Sequence, residues 1–419
     1  MDHFHYVGGV LHAEDVPLPL IAAEVGTPVY VYSRATLTRH ARVFRDALSI
    51  LPAARIAFAV KSNPNLAVLK VLAAEGYGAD VVSVGELERA LAAGMAPDSI
   101  VFSGVGKTEA EMRRALQAGC GQFNLESEEE GLELAEIARE LGLTARCALR
   151  VNPDVDAGTH GKISTGKAEN KFGVPYDRAA AIYARLAGTE GLQMRALALH
   201  IGSQLSKLDP LEAAFTKVGV LMKSIRAAGH AVTHMDLGGG VGVPYKAGEV
   251  FPQPEEYAAM VARVTADWGV TLMFEPGRVI TGNTGVLVTQ VVRVKEGVGH
   301  PWVVVDAAMN DLARPALYDA WHDFAAVAPN GAKMTANIVG PICESSDTFA
   351  MARDIDQVAR GDLAVFRTAG AYGATMANTY NSRPLVPEVM VDGAKWAVVA
   401  DRIEPATILS AERVPDWLA

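Results

Sequence analysis

Between about residue 55 and residue 275 the chain repeats one pattern eight times: a short apolar run, then a longer stretch with helical spacing. The runs are Ala57–Val60, Ala79–Val82, Ile100–Phe102, Gln122–Leu125, Cys147–Val151, Ala196–His200, His234–Leu237 and Leu272–Glu275. Runs this short, most of them leading into polar or Gly-containing segments, read as parallel strands buried on both faces. The stretches between them have helical spacing, as in Glu86-Leu87-Glu88-Arg89-Ala90-Leu91. Eight such units predict a (β/α)8 barrel, taken as residues 31–278. An open, doubly wound sheet is the alternative, and eight units weigh against it.

After Arg278 the pattern changes. Val286–Val292, Trp302–Val305 and Lys395–Ala400 are β-rich and separated by Gly, Pro and Asn. They predict a mainly β second domain over residues 279–419. Residues 1–30, with the candidate strand Val29-Tyr30-Val31, stand apart from the alternation and are grouped with it. One connection is long: Asn152–Phe172 is polar and rich in Gly and Lys. A functional lid and a simple mobile loop both fit it.

Charge and cysteine usage narrow the function classes. A net charge of -10, from 38 basic and 48 acidic residues, suggests neither a nucleic-acid nor an anionic-membrane partner. The three cysteines, Cys120, Cys147 and Cys343, are an odd count without metal-type spacing. Neither a disulfide framework nor a metal site is expected, and a reducing compartment is. The first residues lack the basic and apolar regions of a secretory leader, and no stretch reaches the length of a membrane span. The expectation is a cytoplasmic enzyme or binding protein.

In a (β/α)8 barrel chemistry gathers at the carboxyl ends of the strands. Lys61 follows the first run, where desolvation can lower an amine's pKa and free it to attack a carbonyl; most lysines are simply solvated. His200 ends the sixth run and reads equally as a histidine satisfied by backbone. Gly238-Gly239-Gly240 follows the seventh, either a tight turn or a close approach to an anion. Glu275-Pro276-Gly277-Arg278 ends the eighth, and a rim salt bridge is its plain reading. Coincidence of place raises the interest. Phosphate sites in such barrels are commonly built from the loops after strands seven and eight. A phosphate cradle, a carboxylate, a flat imidazole and a strand-end lysine together match the needs of pyridoxal 5'-phosphate (PLP).

Six segments resemble the fold-type III PLP decarboxylases in order and spacing over nearly the whole chain. They are Phe58–Asn63, His200–Ser203, Asp236–Gly240, Glu275–Arg278, Gly340–Asp347 and Gly370–Tyr372. Thr27–Tyr32, Thr159–Lys162 and Asn170–Gly173 resemble the diaminopimelate branch. Phe58 and Ser62 depart, conservatively, from the Tyr and Ala more usual there. The resemblance implies that Lys61 carries PLP, His200 stacks on its ring and Glu275 pairs with the ring nitrogen. Ser203 and Gly238, Gly239 and Gly240 would hold the phosphate, joined by Gly277, Arg278 and Tyr372, with Asp80 and Arg150 supporting the lysine and histidine. Arg278, Arg314 and Tyr318 would bind the substrate's far carboxylate, Glu344 its far ammonium, Tyr372 would also touch the substrate, and Cys343 would donate a proton. The implied reaction is loss of CO2 from meso-2,6-diaminopimelate to give L-lysine, the last step of lysine biosynthesis. The implied assembly is a homodimer with shared active sites. A decarboxylase acting on another basic amino acid or a carboxylated polyamine is the alternative. A non-catalytic PLP-binding barrel would lack the β domain, and a racemase would typically face the ring nitrogen with arginine.

Overall fold

The computed structural model describes residues 2–156 and 170–418. The chain forms two units. One comprises the residues up to Leu37, Tyr245–Glu249 and the chain from Thr281; the other comprises Thr38–Pro244 and Val250–Ile280.

The second unit is the barrel. Its strands are β1 Ala54–Ala59, β2 Gly78–Val81, β3 Ile100–Phe102, β4 Gln122–Leu125, β5 Ala145–Asn152, β6 Leu192–Ala198, β7 His234–Asp236 and β8 Thr271–Phe274. Each pairs in parallel with the next, and β8 pairs with β1, so the sheet closes. The eight apolar runs are therefore the eight strands. Local signals set the helices between them. Thr108 starts the helix Glu109–Ala118 with a capping box: its Oγ1 accepts from Glu111 N at 3.3 Å while Glu111 Oε2 accepts from Thr108 N at 3.1 Å. Gly119, at φ +82°, ends that helix in the left-handed conformation that costs glycine least.

Inside the barrel, small apolar residues alternate with polar ones. Ala57, Val101 and Met273 form one apolar cluster, and Ala148, Ala196 and Ala198 another. On the same strands Asp80, Gln122, Asn124, Arg150 and Asp236 are buried. Buried polar groups are costly unless partnered, so their partners define the barrel's working end.

The other unit is a β structure whose core includes Val29, Val31, Val286, Val288, Val365, Val389 and Val391. The strand Val29–Ser33 is buried along its length, antiparallel to Gly285–Lys295 on one side and parallel to Glu388–Asp392 on the other. The boundaries drawn from sequence fall a few residues from those of the two units. A break at residue 31 cuts through an interior strand, and the units divide at Leu37 and Ile280 instead. A short apolar run looks the same whichever sheet takes it in, so periodicity alone could not place Val29–Ser33.

Candidate active site

Lys61 sits in the single 3-10 turn Val60–Ser62 directly after β1, and its Nζ donates to Asp80 Oδ2 on β2 at 2.7 Å. Asp80 is fully buried, while the lysine side chain keeps 39% of its exposure. The amine thus meets a cavity of about 360 Å³ over the strand ends, lined by residues that include Ser103, Asn124, Arg150, His200 and Glu275. The other carboxylate oxygen of Asp80, Oδ1, is buried and accepts no hydrogen bond among the described residues.

His200, two residues beyond β6, accepts a hydrogen bond at Nδ1 from Gly239 N at 3.3 Å. An accepting Nδ1 requires a neutral ring with its hydrogen on Nε2. Burial, then the nearby Arg150 and Lys61 charges, hold its pKa well below the ordinary histidine value, in agreement.

The glycine turn is dictated by close approach. Gly238 and Gly240 have φ of +63° and +121°. A Cβ on Gly238 would meet the Leu199 carbonyl, one on Gly239 the Glu275 carbonyl, and one on Gly240 the Gly202 carbonyl. Only glycine lets the turn pass between the ends of β6 and β8. Beside it Arg278 Nη2 donates to Ser203 Oγ at 3.2 Å. Gly277 packs so closely on Ala59 and Ser62 that a Cβ would crowd both.

Glu275 follows β8 and opens on the cavity. Its Oε1 accepts from Asn124 Nδ2 at 3.3 Å, and the same amide donates to Asp236 Oδ2 at 3.0 Å. Burial, followed by the Asp236 and Asp80 charges, raises the Glu275 pKa well above the usual carboxylate value.

Four residues here went unassigned in the sequence reading: Ser103, Asn124, Glu126 and Asp236. Glu126 Oε1 accepts from Arg150 Nη1 at 2.6 Å, and its Oε2 from Gly173 N at 2.6 Å. Arg150 also lies over the Phe172 ring, 4.8 Å from its centre. The signal that could have found all four is position: each lies in or just after a barrel strand, near its carboxyl end.

Arg314, Tyr318, Cys343, Glu344 and Tyr372 belong to the β unit. Arg314 is buried, with its guanidinium 4.5 Å from the centre of the Tyr245 ring. Its Nη1 donates to His322 Nε2 at 2.8 Å, which leaves His322 Nδ1 to carry the hydrogen donated to Arg367 O at 2.9 Å. Tyr318, at the end of the same short helix, is half-buried. Cys343 and Glu344 are exposed. Hydrogen bonds from Ser346 and then Tyr380 hold the Glu344 pKa below the usual value. Asp347 braces their segment by accepting from Met309 N and Ile342 N, both at 2.7 Å. Tyr372 adopts φ +57°, the left-handed region a non-glycine residue rarely takes. The segment Thr159–Lys162 lies outside the described residues.

Residues 34–282 match the family model of the pyridoxal-dependent decarboxylases, pyridoxal binding domain. A diaminopimelate decarboxylase of Zymomonas mobilis subsp. mobilis is 50% identical over 420 residues, covering 99% of both chains. One of Vibrio cholerae is 49% identical over 417 residues, with the same coverage. The chain belongs to the diaminopimelate decarboxylase family. Among solved structures, the diaminopimelate decarboxylase of M. jannaschii in co-complex with L-lysine superposes with a TM-score of 0.96 at 32% identity, covering 100% of this chain and 99% of that one. The cofactor of this family is PLP, and the barrel's residues fit it. A strand-end amine, a neutral flat imidazole and a carboxyl whose pKa burial raises border one cavity, and a glycine turn that excludes any Cβ donates to the imidazole. No helix among the described residues is long and apolar enough to cross a membrane, and none of their His, Cys, Asp and Glu clusters could hold a metal ion.

Proposed function

We infer that the protein removes CO2 from meso-2,6-diaminopimelate to give L-lysine, using PLP. One observation carries this: Lys61, His200, Glu275 and the glycine turn meet at one barrel mouth, in a chain that aligns end to end with diaminopimelate decarboxylases. Bound there, PLP supplies an electron sink for departure of a carboxylate from Cα.

The chain's own residues divide the remaining work. Lys61 anchors the cofactor and afterwards carries protons, with Asp80 holding its amine in place. Glu275 faces the ring nitrogen, and His200 offers a flat, uncharged face to the ring; Arg150 supports it. Ser203, Gly238, Gly239, Gly240, Gly277, Arg278 and Tyr372 hold the phosphate end. Arg278, Arg314 and Tyr318 take the distal carboxylate, for which a planar guanidinium is suited, and Tyr372 also touches the substrate. Glu344, kept ionised by its hydroxyl neighbours, takes the distal ammonium. Cys343 returns a proton to Cα.

We assign the working form to a homodimer in the cytoplasm, in which the Cys343–Glu344 segment serves the partner subunit's site. Three free cysteines, two of them buried, suit a reducing compartment. The test is direct. With PLP and meso-diaminopimelate, lysine and CO2 should appear in equal amounts, while ornithine and arginine should react poorly. Ornithine turned over as fast as diaminopimelate would overturn the specificity.

A further inference from the structure

Asp236 has no place in the roles above, yet its setting is unusual. It ends β7, is 1% exposed, and stands within hydrogen-bonding reach of Glu275. Two carboxylates at such a distance, removed from water, cannot both stay ionised at low cost. The charged neighbours do not change this. Asp80 and Lys61, facing Glu275 from β2 and the turn after β1, already neutralise each other at 2.7 Å. Tyr257, from the helix Pro254–Val264, faces Asp236 and is neutral, its own pKa pushed upward chiefly by burial.

Hydrogen bonds decide where a single proton sits. Asp236 Oδ1 accepts from Gly238 N at 3.0 Å, and its Oδ2 accepts from Asn124 Nδ2 at 3.0 Å. Glu275 shares the Asn124 amide only at 3.3 Å. Two well-placed donors favour the anion on Asp236, which leaves the hydrogen on Glu275. Asn124 is itself held: its Oδ1 accepts from Gln122 Nε2 at 2.9 Å.

We propose that Asp236 and Glu275 share one proton, and that Asp236 is a positioning residue that keeps it on Glu275, the group facing the cofactor's ring nitrogen. This rests on the assignment of Glu275 above. Pair and ring nitrogen together would keep one net negative charge wherever that proton sits, so none need be drawn from solution. Through Gly238 N, Asp236 also ties this proton site to the glycine turn.

The test uses the full-length enzyme freed of PLP, at neutral pH, by infrared difference spectroscopy. Subtracting Glu275→Gln from wild type cancels other buried carboxyls, among them Glu86 and Asp311, each raised to about 7. That difference should show the C=O stretch of one protonated carboxyl, shifting in D2O. Repeating the subtraction in an Asp236→Asn background should show that band displaced or lost, because Glu275 no longer has a neighbouring carboxylate to accept its hydrogen. If Asp236→Asn does not fold, Asp236→Ser, which keeps an acceptor for Gly238 N, takes its place with the same expectation. No band in the first difference, or an unchanged band in the second, overturns the proposal. Neither reading depends on turnover, so the decarboxylation assay can succeed while this pair fails.

Discussion

The barrel mouth and the Cys343–Glu344 segment of the β unit handle charge in opposite ways. At the mouth, Asp80, Arg150 and Asp236 are buried and pinned in pairs: Lys61 to Asp80, Arg150 to Glu126, Asp236 to Asn124. In the β unit, Cys343 and Glu344 stand exposed on a segment braced from behind by Asp347. A buried, hydrogen-bonded polar network fixes geometry before any ligand arrives, because each broken bond strands a desolvated group. An exposed pair of side chains has no such constraint. On the roles proposed above, the difference would separate two tasks: cofactor chemistry on a preorganised floor, and recognition of the distal ammonium by an exposed segment.

Substitutions should keep those tasks apart. Lys61→Ala should lose essentially all turnover and the visible absorbance of bound PLP; retention of either breaks the division at its strongest point. Glu275→Gln removes a preorganised electrostatic partner, a loss of order 10²–10³ in kcat, and should shift the cofactor spectrum as well. Arg314→Ala and Glu344→Ala should each lower kcat/KM by at least roughly tenfold, as when one partner of a charge pair is removed. Their PLP spectra should match wild type, and an altered spectrum would blur the comparison.

The smallest effect sharpens the assembly. Mixing inactive Lys61→Ala and Cys343→Ala chains, with subunit exchange, makes about half the dimers hybrid, each with one intact site if sites are shared. Roughly a quarter of wild-type activity should then return. No recovery, once exchange is verified and Cys343→Ala alone is shown to be inactive, would place both residues in the same chain's site.

Legibility in the sequence followed the same divide. The barrel strands were readable because a strand buried on both faces must be apolar and short, and Lys61, His200, Gly238–Gly240 and Glu275 were readable because they follow those strands. Asn124, Glu126 and Asp236 were given no role: in or just after a strand, a buried amide or carboxylate looks like a break in the apolar run until its partner is known. Arg314 and Cys343 gave no signal from pattern at all and were assigned through resemblance alone. The contact that orients Arg314, from Nη1 to His322 Nε2, joins residues whose spacing has no motif behind it.

Lys61, at the end of the first barrel strand, is the group proposed to carry the cofactor for decarboxylation of diaminopimelate. Borohydride reduction of the PLP-loaded enzyme, followed by proteolysis and mass spectrometry, tests it most directly. The reduced pyridoxyl mass should appear on the peptide containing Lys61, and pretreatment with borohydride should abolish release of lysine from meso-diaminopimelate. A label on any other lysine, or full activity after labelling, would contradict it.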